Sequence, residues 1–175
     1  MTEKMLWEKC IDFHGHECGG LAIGFKAALY VKELLGLEFS EDEEIVCVAE
    51  NDACGIDAIQ VLLGCSAGKG NLLFRLRGKQ AWSFFRRSDG KAVRLCLKET
   101  PDVPRGEKIV YLMNHGFEEL FEVSEPTFTL PEPARIFYSY KCEMCGEMTA
   151  ENMIRLQEGK KLCLDCYQEY KRFDM

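Results

Sequence analysis

Apolar positions in the first third of this chain recur at helical spacing, whereas further along they run continuously or alternate. Over residues 2–13, Leu6, Cys10 and Phe13 fall on one helical face. A glycine-punctuated loop, His14-Gly15-His16-Glu17-Cys18-Gly19-Gly20, interrupts the pattern. Residues 21–35 then form a long amphipathic stretch that ends at Gly36, where a helix C-cap belongs. Past the acidic turn at residues 40–44, Ile45-Val46-Cys47-Val48-Ala49 reads as a fully buried strand. Asn51-Asp52 offers an N-cap to a short helix over residues 54–63, closed by Gly64. Residues 71–79, 81–87 and 91–98 predict a β-meander with Ser88-Asp89-Gly90 as its clearest turn. Residues 104–115 and 117–123 read as helices, and Pro126, Pro131 and Pro133 mark an extended linker. The sum is an α+β protein: a core over residues 1–135 whose mixed sheet is flanked by helices, and a small module over residues 136–175.

Composition narrows the class. With 175 residues, 47% hydrophobic and 29% charged, the chain suits a soluble domain plus a small appendage. No apolar run reaches the roughly 18–20 residues a membrane span needs, and the first residues lack the layout of a signal peptide. A cytoplasmic protein with no membrane partner is the expectation. Net charge is −7, and from Tyr140 onward 6 basic residues face 7 acidic ones, which disfavours nucleic acid as a partner.

Ten cysteines change the picture, because reduced cytosolic thiols more often serve metals or catalysis than disulfides. Cys142-x-x-Cys145 and Cys163-x-x-Cys166 stand 17 residues apart, the two-knuckle spacing of a structural zinc site. Each C-x-x-C turn sets two sulfurs on one side of a tight loop, and two turns close a tetrahedron. Gly146 suits the sharp turn of a knuckle. A hairpin around Glu158-Gly159 followed by a helix over residues 164–173 carrying Cys166 would give treble-clef order.

The second cluster is at the N-terminus. His14, His16 and Cys18 sit at i, i+2 and i+4, so an extended stretch would turn all three to one side. Cys18 precedes one helix and Cys54 opens another, positions where the helix dipole favours a thiolate. Asp52 and Asp57 can add a ligand or orient a histidine. A metal or redox site and a loop of capping histidines are both open readings. Cys10 and Cys47 read as buried hydrophobes, Cys65 and Cys96 are ambiguous, and His115 reads as a helix cap. Residues 64–70 are not a P-loop: the spacing is short and no Ser or Thr follows Lys69. Arg75, Arg77 and Lys79 share one strand face near Arg86, Arg87, Lys91 and Arg94; they form either a solvated face or an anion-recognising one.

Taken together, Phe13-His14-Gly15-His16-Glu17-Cys18 with Gly20–Gly24, and Asn51-Asp52-Ala53-Cys54-Gly55-Ile56-Asp57 continuing through Gly64-Cys65 and Gly68–Leu72, resemble the FmdE-like family associated with formylmethanofuran dehydrogenase. Gly19 departs from it, since that family usually has proline after the cysteine. The resemblance implies a somewhat thioredoxin-like α+β core and an optional treble-clef finger. It also implies a core metal site, carried onto His14, His16, Cys18 and Cys54, with Cys18, Cys54 and His16 as candidate catalytic groups. Two metals follow: structural zinc in the finger and a second ion, zinc or a similar one, in the core. The function implied is an accessory, FmdE-like protein of a molybdenum or tungsten formylmethanofuran dehydrogenase-type system. Its candidate partners are the other polypeptides of that enzyme, and a second copy of the chain as a homodimer. Two alternatives stand beside it: a free-standing thiol redox or metal-handling protein using Cys18 and Cys54, and an interaction protein in which only the finger acts. The absence of a C-x-x-C pair in the core weakens a thioredoxin-type mechanism, and no dinucleotide or ferredoxin motif occurs.

Overall fold

The computed structural model describes residues 1–104 and 106–173. Arg105, within the expected helix over residues 104–115, and Asp174 and Met175, at the end of the finger, lie outside the described residues. The chain separates into two compact units, Met1–Ala134 and Arg135–Met175.

In the first unit, α1 (Glu3–His14) starts at Thr2, whose hydroxyl accepts from the Met5 amide, and ends at Gly15 with φ +89°. The second helix, α2 (Gly19–Leu35), is sheathed on nearly every side by protein and stops at Gly36 in the left-handed region. Next come β1 (Ile45–Ala49) and α3 (Gly55–Leu63). The sheet continues with β2 (Leu72–Phe74), β3 (Ala81–Arg86) and β4 (Ala92–Leu97), the last two joined by the expected turn with Gly90 at φ +72°. Then α4 (Lys108–Asn114), the single-turn α5 (Phe117–Leu120) and β5 (Phe121–Ser124) complete the ordered elements.

The strand order is β2-β1-β3-β4-β5, with β1 and β2 parallel and the other pairs antiparallel. This mixed sheet differs from a meander in one respect. β1 inserts between β2 and β3, pairing Cys47 with Leu72 on one side and Phe84 on the other. All five residues of β1 are buried, so its continuous apolar run fits a central strand rather than an edge. Residues 121–123, expected as helix, form β5 with Ser124 instead. Leu95, Cys96 and Leu97 offer it a free strand edge, and four residues of helix carry little stability of their own.

Alternation along the strands splits the core. Cys47, Ala49, Trp82, Phe84 and Leu95 face the helices together with Leu21, Phe25 and Ile59. Val46, Val48 and Phe85 face the other way and are covered by Phe128 and Leu130. The proline-marked segment is therefore not a free linker throughout, because the Phe128 ring packs 5.8 Å from that of Phe85.

On this second face Glu50, only 8% exposed, receives Arg94 Nε at 2.6 Å and Nη2 at 3.1 Å. The hydrogen bonds from Arg94 hold the Glu50 carboxyl below its ordinary range. A depressed carboxyl stabilises the fold above its unfolded value, and the contribution is lost as pH falls through the folded value. Glu50→Gln is expected to cost about 3 kcal/mol at neutral pH, because Arg94 keeps its charge without a partner. Urea unfolding across a pH series should show the two proteins converging below the carboxylate range. A constant gap would mean that the charge on Glu50 contributes nothing.

The second unit holds two short hairpins. β6 (Ser139–Lys141) pairs with β7 (Met148–Ala150), and β8 (Arg155–Gln157) pairs with β9 (Lys160–Leu162) after a 3-10 turn at Glu151–Met153. The Glu158-Gly159 turn has both residues at positive φ, 51° and 79°, as a two-residue hairpin of this type demands. The helix expected over residues 164–173 does not form in the described residues. Apart from Tyr167 its apolar positions stay exposed, Tyr170 at 83% and Phe173 at 78%, so too little surface is buried to hold a helix.

Candidate functional site

Both cysteines singled out in the core stand at helix starts, and the packing of those helices brings them together. Helices α2 and α3 cross at Gly24 and Gly55. A methyl group added at Gly24 would lie 2.0 Å from the Gly55 carbonyl oxygen, so only glycine permits this approach. The crossing sets Cys18, the N-cap of α2, near Cys54, the N-cap of α3. A methyl group at Gly20 would sit 3.8 Å from the Cys18 sulfur and 3.5 Å from the Cys54 sulfur, which places both thiols against the same glycine.

The histidines reach this point by a turn rather than by extended alternation. His14 is the last residue of α1, and the left-handed Gly15 folds the chain back so that the His16 ring lies 4.6 Å from the His14 ring. The donor atoms of His14, His16 and Cys18 all fall within 4.8 Å of one another. Cys54 stands beside this group rather than within it.

Neighbouring side chains set the state of each donor. Asp57 Oδ2 lies 2.7 Å from His14 Nδ1, and Gln60 Nε2 donates to Asp57 Oδ1 at 3.2 Å. With Nδ1–H held by the carboxylate, His14 directs Nε2 toward the Cys18 sulfur, 3.8 Å away. The Leu21 amide donates to that sulfur at 3.3 Å, the capping role expected at a helix start. Burial pushes the Cys54 thiol up, helped by its hydrogen bond with Cys18. The helix start therefore does not bring the Cys54 thiol below its ordinary value, because burial and the neighbouring Cys18 act against it. His14, Asp52, Ala53, Cys54, Ile56, Asp57 and Phe74 line a cleft of about 300 Å³ beside the group. Phe74 carries no sequence signal for this placement, whereas Gln60, one turn beyond Asp57, belongs to the family motif that begins at Asn51.

The blander cysteine readings also meet a definite geometry. Cys10, Cys47 and Cys65 are fully buried, and burial pushes the Cys10 and Cys65 thiols up to about 12. Cys96 is half-buried, and His115 Nδ1 sits 2.7 Å from the Tyr111 carbonyl at the end of α4.

In the second unit, Cys142, Cys145, Cys163 and Cys166 bring their four sulfurs within 4.8 Å of one another. Each knuckle is a backbone turn: the Gly146 amide donates to the Cys142 carbonyl at 2.9 Å, and Tyr167 to that of Cys163 at 2.9 Å. Amides of Cys145, Cys163 and Met144 point at the Cys142 sulfur and lower its thiol to about 6. Contact with the other sulfurs, Cys163 first, pushes Cys166 up to about 12. A cluster in which one thiolate forms readily and the next resists is completed by a divalent cation, which favours deprotonation of all four. The donor set and spacing fit structural zinc.

A mixed α+β unit with a His/Cys group at its helix starts, followed by a four-cysteine zinc finger, defines the class. A family model described as "FmdE, Molybdenum formylmethanofuran dehydrogenase operon" matches residues 13–122, and the chain belongs to that family. A second model, for the prokaryotic dksA/traR C4-type zinc finger, matches residues 137–172. Among solved structures, a tungsten formylmethanofuran dehydrogenase FmdE-like protein from Syntrophus aciditrophicus is 25% identical. It superposes with a TM-score of 0.64 over 95% of this chain and 92% of that one. A probable S-adenosyl-L-methionine-binding protein of Archaeoglobus fulgidus is 29% identical over 192 aligned residues. The match takes in 91% of this chain and 51% of that protein, so the chain spans about half the length of its curated relative.

Proposed function

We propose that the first unit carries a second metal site, built from His14, His16 and Cys18 with Cys54 as the adjoining fourth ligand, and that the ion is zinc. The observation that supports this most directly is the gathering of three donor atoms within 4.8 Å. The edge between His14 Nε2 and Cys18 Sγ, 3.8 Å, is close to the roughly 3.3–3.8 Å expected between ligands around tetrahedral zinc. Asp57 and Gln60 orient His14 and keep its proton on Nδ1. His16 is exposed and the cleft opens beside Cys54, so a small ligand has access from solvent. A zinc ion held in that way supplies Lewis-acid polarisation of a bound group.

In this reading the protein is a cytoplasmic metal-binding accessory of a molybdenum or tungsten oxidoreductase of the formylmethanofuran dehydrogenase type, and its finger is a docking module. Family membership and the likeness to an FmdE-like structure support that role. The gathering of the Cys18 and Cys54 sulfurs, both within 3.8 Å of a methyl group added at Gly20, favours a second reading, a dithiol that cycles to a disulfide.

Elemental analysis of anaerobically purified wild type and a Cys18→Ala/Cys54→Ala variant separates these. Two zinc ions per chain falling to one is the expected result, with the thiolate-to-cobalt absorption of the cobalt-substituted protein reduced in parallel. One metal in both proteins would overturn the core site and leave the dithiol reading to thiol titration.

A further inference from the structure

One prominent feature of the first unit plays no part in metal binding. Arg75, Arg77, Lys79 and Arg94, with Glu50, Ser124, Glu125 and Thr127, line a concavity of about 320 Å³. Arg75, Arg77 and Lys79 are exposed, but backbone hydrogen bonds hold the segment that carries them. The Arg75 amide donates to the Ala49 carbonyl and the Arg77 amide to that of Glu50, both at 2.8 Å, which extends the chain past β2 alongside the end of β1. The Lys79 carbonyl is fixed in turn by the Asn51 side chain at 2.8 Å. Extended backbone sends alternate side chains to one side, so Arg75 and Arg77 enter this concavity while Phe74 lines the cleft beside Cys54; Lys79 joins them past a turn at Gly78, whose φ is +68°.

The ion pairing is lopsided. Arg94 is committed to Glu50 through two hydrogen bonds. Arg75 stacks over the Phe128 ring at 5.1 Å, which restricts the guanidinium while leaving its edge open. No ion pair within 4.0 Å engages Arg75, Arg77 or Lys79 among the described residues. Four cations stand against the carboxylates of Glu50 and Glu125, an excess of two positive charges inside a chain whose net charge is −7. Concentrating charge against the overall sign costs self-repulsion, and a bound anion relieves it.

We propose that this concavity is a binding site for a phosphoryl group of a small phosphorylated molecule. A phosphomonoester carries close to two negative charges at neutral pH and presents three acceptor oxygens. The Arg75 guanidinium, the remaining N–H groups of Arg77, whose Nη1 donates to the Leu76 carbonyl at 2.9 Å, and the Lys79 ammonium match that charge and acceptor count, whereas a lone carboxylate needs one such fork. The hydroxyls of Ser124 and Thr127 on the rim supply further donors, and Glu125 on the same rim disfavours a fully buried anion. An extended acidic peptide would need a longer basic track than these residues provide. The site lies across the sheet from the His/Cys group and does not depend on metal binding there.

Calorimetric titration of the zinc-loaded full chain with glycerol 3-phosphate and with inorganic phosphate, at constant ionic strength, tests the proposal. Saturable one-to-one binding is expected, weakened at least about tenfold in Arg75→Gln/Arg77→Gln; a tenfold loss corresponds to about 1.4 kcal/mol. Tighter binding of the ester than of inorganic phosphate would identify an organic phosphate as the ligand, and equal binding would identify free phosphate. Amide shifts of Arg75, Arg77 and Thr127 in the wild type, followed by NMR during the same titration, give a readout that needs no variant. Heats no larger than those with acetate would overturn the site. So would unchanged affinity in the double variant, or binding of a glutamate-rich peptide in place of phosphate.

Discussion

Replacing Cys142 by serine is expected to remove one zinc per chain and to unfold residues 137–172, read as the loss of one equivalent in elemental analysis and of dispersed amide signals by NMR. The reason is how little else holds the second unit together. Its buried cluster consists of Cys142, Leu162 and Cys163, packed only by half-buried Cys166 and Tyr167. Three of these five residues are ligands, so the core of the module is largely the metal site itself. Structural zinc contributes on the order of 10 kcal/mol to isolated fingers, far more than burial of one leucine. Hairpins of three-residue strands are marginal alone. A chelator should reproduce the effect in the wild type, and Cys96→Ser should leave zinc content unchanged. Retention of dispersed signals by the Cys142→Ser protein would show that the hairpins stand without the fourth ligand.

The second large effect is expected at Gly24, a residue that offers no ligand atom. Gly24→Ala introduces a methyl group 2.0 Å from the Gly55 carbonyl oxygen and 2.4 Å from the Gly55 α-carbon. The opposing atoms are backbone, so no rotamer change relieves the clash and the helices must separate. Overpacking of this kind costs about 3 kcal/mol, near the upper end of its range, which for a unit of this size lowers Tm by roughly 10 °C. Separation of α2 and α3 also pulls Cys18 from Cys54, so the metal attributed to the core should be lost at temperatures where the fold survives. Gly68→Ala is the control, because nothing lies within 4 Å of its added methyl group. A Gly24→Ala protein that melts like wild type would mean that the crossing is loose enough to absorb a methyl group.

Much of this protein is written locally. β1 occupies the residues its continuous apolar run marks, α2 ends at Gly36, and the turn at Gly90 joins β3 to β4. Such features depend on side-chain period and on glycine's access to positive φ, properties a segment carries into any environment. The spacing of Cys142, Cys145, Cys163 and Cys166 is of the same kind, since two knuckles joined by a short hairpin have few ways to arrange their sulfurs.

Other features depend on what distant segments leave available. β2 pairs parallel with β1 because that edge is open, and residues 121–124 become β5 because β4 needs a partner. Residues 164–173 form no helix: Tyr167 packs on the small core of the finger, but Leu164, Tyr170 and Phe173 stay exposed, too little burial to hold helical turns. His14 and Asp57 meet across 43 residues only through the contact of α1 with α3.

The residue types of the four-cysteine site and of the His/Cys group, and the alternation that puts Arg75 and Arg77 on one face, were determined by the sequence alone. Tertiary structure decided that Cys18 and Cys54 adjoin, that Asp57 holds His14, and that the three cations share a concavity with Arg94. Local propensity acts through bonds and nearest neighbours, while these juxtapositions arise only when helices and strands compete to bury surface against one another.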